Sequence, residues 1–102
     1  MEIKKNIQIE NQKQTIQLLD GEFTPSQAFD LITALINQKI NYHKLEGLKN
    51  WERDHKYDEA PLRNRIKELE DAIKRTKDFM LELKHSGKNL KIDGVIKMSV
   101  IE

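Results

Sequence analysis

Three histidines, seventeen carboxylates and eighteen basic side chains are the groups with which this chain of 102 residues could do chemistry, and it has no cysteine. The histidines, His43, His55 and His85, match neither an H-E-x-x-H motif nor any i,i+4 pair that would offer two imidazoles to one metal ion. His43 lies beside Ile40 and Gly47 and reads as a partly buried helix residue. His85 suits the negative end of a helix, and His55 stands between Asp54 and Asp58 in a charged stretch that reads as a solvated turn. Without a thiol there is no disulfide, thiolate metal site or cysteine nucleophile. The carboxylates Glu68, Glu70 and Asp71 form no acid–base constellation with Glu46 or Glu52. No G-x-S-x-G, phosphate-cradling loop or dinucleotide fingerprint occurs. The four glycines, Gly21, Gly47, Gly87 and Gly94, all fall at breaks or irregularities of the pattern. The expectation is a non-enzymatic protein with no metal and no cofactor.

Binding is the better use for the remaining residues. Trp51, Arg53, His55 and Tyr57 crowd into a few positions, with Tyr42 nearby, and carry the aromatic and arginine mix enriched at interface hot spots. They are the candidate surface for a protein partner. The alternative is nucleic acid, for which Arg63, Lys67, Lys74 and Lys77 would track phosphates. Glu68, Glu70, Asp71 and Asp78 are interleaved with these cations and the formal net charge is only +1, so a solvated helix flank is the preferred reading.

Four kinds of element must position these residues. Residues 1–19 alternate apolar and polar in two runs, Ile7 with Ile9 and Ile16 with Leu18, about the polar stretch Glu10 to Gln14, which predicts a β-hairpin. Asp20-Gly21 is expected to break the second strand. Thr24-Pro25-Ser26-Gln27 then has the form of a capping box with proline at the first helical position. From it a broad apolar face, Ala28, Phe29, Leu31, Ile32, Leu35, Ile36 and Ile40, predicts a helix over 24–50. A charged connector follows over 51–60, with Asp58 as a capping residue for what comes next. Leu62, Ile66, Leu69, Ile73, Thr76, Met80 and Leu83 alternate steps of four and three along a second helix over 61–86, which Gly87 stops. Leu90, Ile92, Ile96, Met98 and Val100 share one parity, so 90–101 reads as a strand, with Gly94 marking a bulge or a close backbone approach.

With 37% hydrophobic and 34% charged residues, this length suits a single domain with a thin core. The predicted class is α+β in two layers, an antiparallel α-hairpin packed on a three-stranded antiparallel sheet in the order β-β-α-α-β. A small core, an edge-bearing sheet and a persistent heptad seam point to a homo-oligomer, a dimer above all. Mean hydropathy is −0.74, no window holds 18 consecutive apolar residues, and the N-terminal segment has no apolar stretch of the signal-peptide kind. A cytoplasmic protein with no membrane association is expected, acting as an interaction module or accessory subunit.

Overall fold

The computed structural model describes residues 12–101, which form β1 (Lys13–Phe23), α1 (Pro25–Arg53), α2 (Ala60–Lys84) and β2 (Leu90–Ser99). Over the described residues the chain is α+β, with two helices and a two-stranded antiparallel sheet. It divides into two compact units, the ribbon (residues up to Glu22 together with those from Lys91) and the helical hairpin (Phe23–Leu90), and each is described by itself.

In the ribbon, the Val100 N–H donates to the Gln12 carbonyl (3.3 Å), and the Leu19 side chain lies 3.5 Å from where a Cβ on Gly94 would stand. These two pairings run in opposite directions along the strands, as an antiparallel ladder requires. The Gln17 amide donates across the ribbon to Asp93 Oδ1 (2.6 Å). Among the described residues the sheet has two strands where three were expected; the strand anticipated from Ile7 and Ile9 lies outside those residues. β1 differs from its expected form at both ends. It starts at Lys13, inside the anticipated loop, and runs through Asp20 and Gly21, which were expected to break it. Gly21 has a negative φ, like every described glycine except Gly87, so its freedom is not spent on a turn and the ladder to β2 holds the backbone extended. Gly94 likewise sits under Leu19 without interrupting β2.

The hairpin begins as its sequence dictates. The Gln27 N–H donates to Thr24 Oγ1 and the Thr24 N–H to Gln27 Oε1, both at 3.1 Å, so the capping box is complete. Ala28, in the next position, is fully buried. α1 ends at Arg53 rather than Asn50, and the connector shrinks to the six residues from Asp54 to Glu59. Its two aspartates hold it: Asp54 Oδ1 accepts the Lys56 N–H and Asp58 Oδ1 the Ala60 N–H, each at 3.0 Å. The Tyr57 N–H donates to the Asp54 carbonyl (2.9 Å). α2 stops at Lys84, and Gly87 takes the left-handed conformation expected of it, with φ 69°.

The α2 seam is where the spacing placed it: Leu62, Ile66, Leu69, Ile73, Thr76, Met80 and Leu83 are all half-buried. Opposite them α1 carries a matching row at steps of four and three, Phe29, Thr33, Ile36, Ile40, His43, Gly47 and Asn50, every one buried or half-buried. α1 and α2 pack against each other along these rows. At Gly47 a Cβ would come within 2.7 Å of Leu62 Cδ2, so the glycine lets α2 start close against α1. Among the described hydrophobic residues only Ala28 and Ile40 are buried outright. A two-helix layer covers each seam from one side only.

Candidate interaction surface

A long helix displays every side of itself, and α1 uses two. On the side of α1 away from the inner row, Leu31, Leu35, Gln38, Tyr42 and Leu45 also alternate steps of four and three, which keeps them on one stripe over four turns. Leu31 is half-buried, whereas Leu35 is 38% exposed, Tyr42 58% and Leu45 60%. Lys39 reaches back so that its Nζ stands 5.0 Å from the Tyr42 ring centroid, a cation–π contact. This outer stripe was not singled out from the sequence. Leu31 and Leu35 were absorbed into one broad face; the signal that separates them is the second four-three spacing, offset from the first by two residues.

The residues expected to form one aromatic surface fall into separate groups. Tyr42 and Trp51 are nine residues apart, or two and a half turns, so a continuous helix sends them to opposite sides. Trp51 packs edge-on against His55, with centroids 4.2 Å apart, while Tyr42 meets the neighbouring His43 ring at 5.8 Å. Arg53 belongs to the last turn of α1 and, with Tyr42 and Leu45, lines a shallow groove of about 280 Å³ on the outer stripe. Tyr57 is half-buried in the connector. The separation follows from α1 continuing past Asn50: Trp51 and Arg53, expected in the charged connector, are instead fixed in helical phase.

Arg63, Lys67, Lys74 and Lys77 are all exposed along α2, at spacings that keep them on one flank. Ion pairs found among the described residues join His43 to Glu46 (3.2 Å) and Arg65 to Glu68 (2.9 Å), and involve none of these four cations.

His43 is the most enclosed titratable side chain of the inner rows, 13% exposed. Its Nδ1 meets Glu46 Oε1, which puts the proton on Nδ1 in the neutral ring and leaves Nε2 an acceptor, buried with no partner. The Thr33 hydroxyl on the same row is also buried without a partner. A groove of about 390 Å³ runs between His43, Gly47 and Leu48 on α1 and Leu62, Arg63 and Ile66 on α2. No group of three or more His, Asp or Glu side chains placed to hold a metal ion occurs among the described residues. Among the described residues no helix is long and apolar enough to cross a membrane.

Comparison with protein-family models, with curated proteins and with solved structures finds no match to this chain.

Proposed function

We propose that the chain is a non-enzymatic, self-associating interaction module whose copies pair through the outer stripe of α1. The observation that supports this reading is the exposure of Leu35, Tyr42 and Leu45 at heptad spacing on a helix whose inner side is already occupied. These three side chains leave on the order of 300 Å² of largely apolar surface in water. Between Leu31 and Lys49 α1 rises about 27 Å. A stable interface covers on the order of 800 Å² of each copy, so side chains flanking the stripe would take part with it.

A two-fold axis is the simplest closed arrangement, and the stripe is suited to one. Gln38 is its middle residue. With the axis passing there, two copies of α1 run antiparallel, Leu31 meets Leu45 of the other copy, Leu35 meets Tyr42, and the two Gln38 amides pair. A single polar layer of this kind fixes register and orientation at some cost in stability. The pairing sets four helices in a row, with the two copies of α1 in the middle. The cytoplasm is the proposed setting, in keeping with a chain free of cysteine.

The test is a Leu35→Glu/Leu45→Glu double variant, both side chains being exposed in the single chain. Helical circular dichroism is expected to be retained while the mass in solution falls to that of one chain. A variant that stays associated would remove α1's outer stripe from the interface.

A second reading rests on Arg63, Lys67, Lys74 and Lys77, whose shared flank and freedom from the ion pairs at His43 and Arg65 favour phosphate contacts. Binding to a random DNA duplex that weakens steeply with salt would support it. No binding at low salt would end it.

A further inference from the structure

Where α1 begins and α2 finishes, the hairpin leaves a groove of about 410 Å³, open along one side. Phe29, Met80, Leu81 and Leu83 supply its apolar surface, and Lys77, Lys84 and Lys88 supply its charge; none of the residues lining it is acidic. Gly87, in its left-handed conformation, turns the chain so that Lys88 joins the two lysines of α2. The local polar groups are already committed. Thr24 and Gln27 cap each other, and the Leu83 carbonyl accepts both the Ser86 N–H (2.9 Å) and the Ser86 hydroxyl (2.6 Å). The first turn of α1, at the positive end of the helix, carries no acidic side chain. The result is an apolar groove whose charged lining is three lysines, although the chain as a whole is close to neutral.

We propose that this groove binds an acidic, apolar peptide segment of a partner protein. Charge complementarity selects the acid: three lysines face a lining that holds no carboxylate. The apolar lining selects the rest, since Leu81 remains 49% exposed and a segment bearing Leu, Ile or Phe would take it out of water. The open side selects a peptide over a small molecule, because small-ligand sites enclose most of their occupant whereas a peptide needs only one face covered. Phosphate backbones would use the lysines and leave Phe29, Met80 and Leu81 wet. The groove is independent of the proposed pairing. Ser26, which lines it, and Leu35, on the outer stripe, are nine residues apart and so on opposite sides of α1.

The experiment is selection of random linear peptides displayed on phage against the full chain, followed by titration of the best synthetic peptide. Enriched sequences are expected to combine Leu, Ile or Phe with Asp or Glu. Their affinity should weaken as salt rises, and should drop about tenfold or more in a Lys77→Glu/Lys84→Glu variant. Leu81→Asp, at an exposed position, should produce a similar loss and serves as the readout if the double variant loses helix content. Three results would overturn the proposal: no enrichment, enriched peptides without acidic residues, or equal binding by the folded variants. So would a random DNA duplex that binds more tightly than every selected peptide and loses that binding in the same variants, since the lysines would then belong to phosphates.

Discussion

Thr33, His43 and Gly47 stand on the inner row of α1 at places where an aliphatic side chain would be the ordinary choice, and each does something different there. The Thr33 hydroxyl is buried without a partner, so its desolvation is uncompensated. Thr33→Val keeps the shape and removes the hydroxyl; urea unfolding is expected to show a gain of about 1 kcal/mol. A loss of stability would mean that the hydroxyl is satisfied. Gly47 costs helix propensity, about 1 kcal/mol relative to alanine, in exchange for the close approach of Leu62. Gly47→Leu would push α2's first turn away, and a loss of about 2 kcal/mol is expected by the same measurement, despite leucine being the better helix former. Unchanged stability would show that Leu62 can move aside freely. His43 was legible as a partly buried helix residue because its neighbours Ile40 and Gly47 lie on the same side. The unpartnered state of its Nε2 was not, since it depends on what α2 brings across.

Elements with local causes were the legible ones. The Thr24–Gln27 box and the Gly87 stop involve residues within a turn of each other, and the α2 seam needs only its own periodicity. Elements whose limits are set by distant partners were not. β1 extends through Asp20-Gly21 because β2 holds it; the end of α1 is the exception, a local cause that composition alone does not reveal, since α1 runs on to Arg53 and a side-chain turn at Asp54 ends it. That three-residue difference decided the candidate surface: a continuous helix through Trp51 separates it from Tyr42, so the aromatic cluster read from proximity in sequence is two surfaces in space. The seam makes its own prediction. Ile73 lies in the middle of the α2 row, and Ile73→Asp should cost about 3–5 kcal/mol through lost burial and a charge set against α1. Thermal denaturation followed by circular dichroism checks it, and an unchanged melting temperature would mean that the row does not carry the hairpin.

For the molecule as a whole, the sparseness of complete burial is the governing fact. A hairpin of two long helices with, among the described residues, only Ala28 and Ile40 as buried hydrophobic residues, and a ribbon on which Ile16, Leu18, Val95, Ile96 and Met98 all remain exposed, leave much apolar surface in water. A two-stranded ribbon is marginal alone, and a small core gains more from association than a large one. Whether copies pair through α1 is read from the mass in solution across a dilution series, by light scattering. Twice the 12.0 kDa of one chain is expected at high concentration, falling toward 12.0 kDa on dilution only as far as the affinity requires. A mass of 12.0 kDa at every concentration would contradict the pairing.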